Sequence, residues 1–437
     1  MTVSAPITER RYVVPLVLVT SLFFLWAIGV NLNDILIQHL KKAFGLTDFQ
    51  SSLIQTAFFG GYFLAALPAG WLMQKIGYKR GILVGLLVCA TGTLLFIPAA
   101  SIRVYGFFLF ALFVMACGQS VLEVAANPYV TTLGPSASSE RRLNLAQSFN
   151  AAGALLIALV GARFILSGIE HTKAELAAMS SAQLLAYRVS EANMVKGPYL
   201  AITGVFLFVA ILIFFTRLPE IREAESSGAF IDNVRVRGTF AFPHLIKGVF
   251  AQFFYVGAQV GVASFIIRFS EFTLPGTYEK VAAHYLQAHL AGFMIGRFTG
   301  SAIMRKASPA GLLSVFAGGS LLCVFVILIG SGLLSVWAIV LLGFFHSIMF
   351  PTIFALSLKN LGPYTKLGSS LLVMSIIGGA VCPAIMGRIS DAWNIQCAFI
   401  VPLLCHAYVL YFAVRGHRPS TELSTSTPLG ATAGEAE

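Results

Sequence analysis

Twelve runs of roughly 20 apolar residues, each closed by a short polar segment, leave this chain few ways to fold other than across a lipid bilayer. They lie near 12–38, 51–73, 81–100, 104–132, 145–168, 197–216, 246–270, 281–304, 310–331, 334–358, 367–389 and 396–414. A backbone in hydrocarbon must satisfy its own hydrogen bonds, so runs of this length are expected to be helices. Composition agrees: 57% of the 437 residues are hydrophobic, 11% are charged, and the mean hydropathy is +0.83. The predicted fold class is an all-α membrane protein of twelve transmembrane helices.

A net charge of +11 would suggest a nucleic-acid partner in a soluble protein, but its distribution gives another reason. With the amino terminus inside, 18 of the 29 basic residues fall in inner segments and 10 in outer ones, and Arg297 is left within span eight. That bias predicts both termini in the cytoplasm, a multi-pass protein of the inner (plasma) membrane, and no nucleic-acid partner. The first run is too long for a signal peptide and has no small-residue cleavage site after it, so span one is expected to stay attached. The six cysteines sit in or beside apolar runs without metal-ligand spacing and read as packing residues.

The most polar internal stretch, 217–243, divides the spans six and six. Leu133-Gly134-Pro135 after span four recurs as Leu361-Gly362-Pro363 after span ten, and Met73-Gln74-Lys75 recurs as Met304-Arg305-Lys306 at nearly the same offset. Such repeats mark two parallel six-helix bundles. The expected domains are an amino-terminal bundle (1–216), a linker (217–243), a carboxy-terminal bundle (244–416) and a disordered tail (417–437). The loop between spans five and six has room for a short surface helix over Ser181 to Val189.

A carboxylate at the centre of a membrane helix costs about 2.5–3.5 kcal/mol on insertion scales, so each one needs a reason. Asp34 closes Asn31-Leu32-Asn33-Asp34 in span one, and Glu123 lies within span four. No Lys or Arg occupies the interior of spans one to six, and an acid without a cationic partner in a low dielectric readily holds a proton that it releases once water reaches it. A structural ion pair, or a wet interfacial position for Asp34, is the competing reading. Gln147 and Asn150, three apart in span five, share a helical face, as do Gln252, Tyr255 and Gln259 in span seven. Both sets suit a polar solute; for span seven, amides gluing helices together fit as well. Arg297 reads as structural, snorkelling inward or pairing in an inner gate, and the intramembrane His284, His289, His346 and His406 read as packing or hydrogen-bonding residues. Asn127-Pro128 and Phe350-Pro351 place breakers at parallel points of spans four and ten.

The segment Gly70-Trp71-Leu72-Met73-Gln74-Lys75-Ile76-Gly77-Tyr78-Lys79-Arg80 resembles the loop between spans two and three of the major facilitator superfamily, with Gln74 where that family has Asp. Within it the chain resembles the L-fucose proton symporter group. The likeness is carried by Asn33-Asp34-Ile35-Leu36, Leu122-Glu123, Ala125-Ala126-Asn127-Pro128, Arg142-Leu143-Asn144-Leu145-Ala146-Gln147, Tyr255-Val256-Gly257-Ala258-Gln259 and Pro351-Thr352-Ile353-Phe354. The resemblance implies two pseudo-symmetric six-helix bundles, proton coupling at Asp34 and Glu123, and sugar-site amides at Gln147 and Asn150. Carriers of glucose, galactose and N-acetylglucosamine in the wider group have Gln at the Glu123 position, so Glu123 leans towards fucose. Ala263 and Phe265 stand where the fucose carriers have Trp and Tyr, which leaves the sugar open.

The expected function is proton-coupled import of L-fucose or a related monosaccharide by alternating access, with Asn31, Asp34, Glu123, Gln147, Asn150, Tyr255 and Gln259 at the substrate. The partners expected are the sugar, the proton and the lipid bilayer, with the chain acting as a monomer. The alternatives are a glucose/galactose or N-acetylglucosamine carrier, sodium coupling, or a non-transporting sensor, for which neither linker nor tail offers a signalling domain. No nucleophile–base pair or metal cluster appears, so an enzyme is not expected, nor a cofactor or metal.

Overall fold

The computed structural model describes residues 6–44, 48–160, 175, 178–216, 218, 236–277 and 279–419; the side chains of 28–43 and of a few other helical residues lie outside the description. All regular structure among the described residues is helical. Span one is Val13–Phe44, and spans two and three form one stretch, Asp48–Ile102, broken at Gly77. Its φ of 77° and ψ of 174° reverse the chain in a conformation that a Cβ would oppose. Span four is Tyr105–Thr132, five Ser139–Val160, six Lys196–Phe215, seven Pro243–Thr273, eight Glu279–Ile303 and nine Pro309–Ile329. Span ten is split into Gly332–His346 and Met349–Ser357, and eleven into Thr365–Met374 and Gly378–Ala392. Span twelve is Ile400–Tyr411, continued by a wider π turn over Phe412–Gly416.

Spans five and eight carry Gln147, Asn150 and Arg297 and are the least apolar of the long helices, so the polar residues are concentrated rather than scattered. The exterior is the reverse: Phe214, Phe215, Val315, Leu322, Leu334 and Leu404 are each more than 60% exposed, which only a lipid surround accommodates. The loop between spans five and six forms a helix over Ser181–Met194, which starts where expected, with Ser180 and Gln183 building a reciprocal cap, and runs on past Val189 to Met194.

Prolines free backbone carbonyls inside spans four and ten. Pro128 has no N–H, so the carbonyl four residues earlier, Val124, loses its helical donor and accepts instead from Ser369 Oγ of span eleven at 3.1 Å. At the parallel point of span ten, Pro351 frees the carbonyl of Ser347, which accepts from Arg297 Nε at 2.9 Å. The duplication is therefore visible in unpaired backbone groups, each satisfied by a side chain from another span. Close packing explains Gly378, where an added Cβ would strike the Phe253 carbonyl.

Arg142 is fully buried yet well partnered. It donates to the carbonyls of Val130 (2.6 Å), Ile7 (2.8 Å) and Thr131, which satisfies the open end of span four and ties the amino-terminal segment to it.

Candidate functional site

Span four presents Gln119, Glu123 and Asn127 at successive four-residue steps, which places three buried polar side chains on one face. Asn127 Nδ2 donates to Glu123 Oε1 at 3.5 Å. Gln147 Nε2 in span five donates to Asn127 Oδ1 at 3.1 Å, and Arg297 Nη1 in span eight donates to Gln147 Oε1 at 2.9 Å and to its backbone carbonyl at 2.6 Å. One chain of hydrogen bonds thus runs from the carboxylate of the amino half to a guanidinium of the carboxy half. The two end charges are within electrostatic reach of each other.

This corrects one expectation and decides between the two readings of Arg297 in favour of pairing between the halves. Glu123 is not without a cation, because the cation arrives from span eight of the opposite half, which no survey of spans one to six could reveal. Arg297 does not snorkel: only 4% of it is exposed, with Phe293 under its guanidinium at 4.5 Å and its nitrogens spent on Gln147 and Ser347.

Tyr255 lies beside Arg297 and donates its hydroxyl to the His346 carbonyl at 2.9 Å. Gln259 is half-buried with no side-chain partner among the described residues, and Gln252 is fully buried with both amide atoms unpartnered. The helix-gluing role is therefore met by Tyr255 alone of the three. Asn150 donates to the Phe23 carbonyl of span one at 3.0 Å, so its Nδ2 holds helices together. Asn31 and Asp34 belong to the span-one helix, and their side chains lie outside the described residues.

Sequence reasoning missed a second polar group. Trp26 Nε1 donates to the Tyr62 hydroxyl at 3.0 Å, which donates to Gln119 Oε1 at 3.4 Å, one turn from Glu123. Gln119 Nε2 is buried without a partner among the described residues, an unmet donor that costs about 1–3 kcal/mol unless a ligand oxygen takes it. The signal available was the spacing of Gln119 ahead of Glu123.

The two halves are also tied near the face that carries both described chain ends. Asn144 Nδ2 donates to Thr352 Oγ1 at 3.0 Å, Ser301 Oγ to the Arg141 carbonyl at 3.4 Å, and Lys359 pairs with Glu140, whose side chain is only 3% exposed. The contacts of Arg297 and Ser369 join the halves as well. All lie within about three helical turns of that face.

The sequence profile of the Major Facilitator Superfamily matches residues 18–376. The chain belongs to that superfamily. It is 43% identical over 415 residues to the L-fucose-proton symporter of Escherichia coli (strain K12), covering 93% of each chain. It is also 42% identical over 412 residues to a glucose/galactose transporter of Brucella abortus, covering 94% of this chain and 96% of the relative. The structure superposes on the crystal structure of a superfamily transporter, FucP, in the outward conformation, with a TM-score of 0.85 and 42% identity over 92% of this chain and 98–99% of its solved forms. The two six-helix bundles are those of this superfamily, whose matched members are transporters rather than enzymes.

Proposed function

We propose that this chain is a proton-coupled symporter that imports L-fucose or a closely related monosaccharide by alternating access. The observation that carries the reading is the chain Glu123–Asn127–Gln147–Arg297, which gives a protonatable group in one half a direct line to the contact that closes it against the other. While Glu123 is ionised, its charge favours Arg297 in place. A proton on Glu123 removes that attraction, and Arg297 is freer to leave Gln147. Asp34 exchanges protons in the same coupling step, so that loss of either carboxylate uncouples transport, and the names of the relatives support both the proton and the sugar.

The sugar takes the unmet polar groups: Gln119 Nε2 and Gln259, together with Asn31, Asp34, Glu123, Gln147, Asn150 and Tyr255, with Trp26 offering an aromatic face. The joined face is cytoplasmic, on the positive-inside bias, so the structure corresponds to an outward-facing state. The protein acts as a monomer in the cytoplasmic membrane with both termini inside, its bundles spanning 1–216 and 244–416 about the linker 217–243, with 417–437 a tail.

Exchange of labelled sugar by reconstituted protein tests the substrate, using a panel of L-fucose, galactose, glucose and N-acetylglucosamine. Fucose is expected to compete best. Exchange of glucose or galactose with no response to fucose would reassign the carrier to the other branch, and no exchange of any sugar would overturn the proposal.

The Glu140–Lys359 pair gives a second check. Lys359 is 43% exposed, so the pair is screened and worth about 1 kcal/mol. Lys359→Ala is expected to shift the balance towards the open inner face about fivefold, read as the distance between spin labels across that face. The exchanged pair Glu140→Lys with Lys359→Glu is expected to restore closure.

A further inference from the structure

Span ten is interrupted where it meets spans seven, eight and twelve. The break falls at Ser347–Ile348, between Gly332–His346 and Met349–Ser357. On one side the His346 carbonyl takes the Tyr255 hydroxyl, and at the break the Ser347 carbonyl takes Arg297. The position of this turn therefore decides where two residues of the candidate site stand. His346 also holds it from its side chain. Its Nε2 lies 2.8 Å from Nε2 of His406 in span twelve, both residues are fully buried, and their rings are nearly parallel at 14° with centroids 4.9 Å apart.

The protons on this pair follow from the acceptors around it. His406 Nδ1 lies 2.6 Å from the Pro402 carbonyl, and a carbonyl only accepts, so Nδ1 carries the hydrogen. In a neutral ring the Nε2 of His406 is then a lone pair, and the hydrogen between the rings belongs to His346 Nε2. His346 Nδ1 is left as a bare acceptor, and it is buried without a partner among the described residues. An additional proton would have to sit there and would find nothing to receive its N–H. Among the described residues, the ionisable side chains around the pair are His289 of span eight, 6.0 Å away between centroids, Tyr255 of span seven at 6.1 Å, Cys405, which precedes His406 in span twelve, and Arg297, held to the next residue's carbonyl. His289 spends its own Nδ1 on the Ile339 carbonyl at 2.8 Å, and no carboxylate is bonded to the pair among the described residues.

We propose that His346 and His406 form a neutral latch between spans ten and twelve, and that His346 is a positioning residue which holds the broken turn of span ten so that Arg297 and Tyr255 can meet it. The latch works through a single N–H···N bond and carries no proton of the transport cycle. It leaves proton exchange to Asp34 and Glu123, and it makes the geometry of the carboxy half independent of pH while the amino half titrates.

Two measurements test it. Nitrogen NMR of the full chain, labelled at histidine and held in lipid nanodiscs, is expected to show both rings neutral, with hydrogen on Nδ1 of His406 and on Nε2 of His346, unchanged across the pH range of transport. A doubly protonated His346 anywhere in that range, or hydrogen on its Nδ1, would overturn the latch. The second measurement uses His346→Gln, whose amide N–H reaches the Nε2 position, and His346→Asn, whose amide does not. Neither side chain can take up a proton. Sugar exchange by H346Q is expected to stay within about twofold of the unsubstituted protein, while H346N loses about tenfold in maximal rate with little change in KM. Both are expected to keep the original pH profile. H346Q as slow as H346N, or a displaced pH profile in H346Q, would contradict the proposal. The exchange readout rests on the carrier reading above, whereas the nitrogen spectrum decides the latch without any transport, so failure of one is distinguishable from failure of the other.

Discussion

Glu123→Gln is expected to abolish uphill sugar uptake in energised vesicles while sugar exchange down its own gradient continues. Glutamine fills the same space and still accepts from Asn127 through its amide oxygen, so the hydrogen-bond chain to Arg297 persists. What is removed is the change in charge. The site is left permanently in the equivalent of its protonated form, in which Arg297 feels no carboxylate, and the halves interconvert without waiting for a proton. Accumulation should fall to equilibrium, a loss of all concentrative transport, with exchange retained within about tenfold. Accumulation at the original level would remove Glu123 from the coupling mechanism.

The second large effect is expected from Arg297→Met, which preserves length and apolar bulk over Phe293 but deletes the charge. Three acceptors lose their donor together: the Gln147 carbonyl, Gln147 Oε1 and the Ser347 carbonyl that Pro351 has already deprived of a helical partner. Breaking one side of a buried charged contact costs about 3–5 kcal/mol, so transport is expected to fall by roughly two to four powers of ten. Arg297→Lys should recover little, because an ammonium cannot reach Gln147 and Ser347 at once with the fixed fork of a guanidinium. Measuring sugar affinity alongside the rate separates the roles. A residue that closes the halves should mainly change the rate, whereas retention of normal transport by R297M would show that the link between halves is incidental.

The two predictions differ in how far they were legible. Glu123 stood out in the sequence because an acid inside an apolar run is costly wherever the helices go. Arg297 was equally visible as a charge, but its partner was not. Whether it snorkels or bridges depends on how the two halves face each other, and helical periodicity within one span carries no information about that. Asn127 is a middle case: its spacing after Glu123 put the two on one face, while its second contact, with Gln147, required the packing of span four on span five.

The fold was readable for a related reason. Hydrocarbon thickness sets the length of an apolar run, so the number of spans and the pairing of the halves follow from hydropathy and the repeated loop sequences. Helix ends did not follow. Span one was expected over 12–38 and continues to Phe44, and span five was expected from 145 and begins at Ser139, because hydropathy marks where lipid ends rather than where hydrogen bonding stops. The latch residues His346 and His406 lay 60 positions apart on separate apolar helices, and nothing in either run indicated that their rings would meet.

Proton movement accompanying sugar is the most direct measurement of the central claim. Vesicles containing the purified protein, with no sodium and no membrane potential, are expected to show alkalinisation of the outer medium when the transported sugar is added, at an initial rate proportional to sugar entry. The signal should vanish in Glu123→Gln while exchange remains. Sugar entry with no alkalinisation, or entry that requires sodium, would contradict proton symport through Glu123.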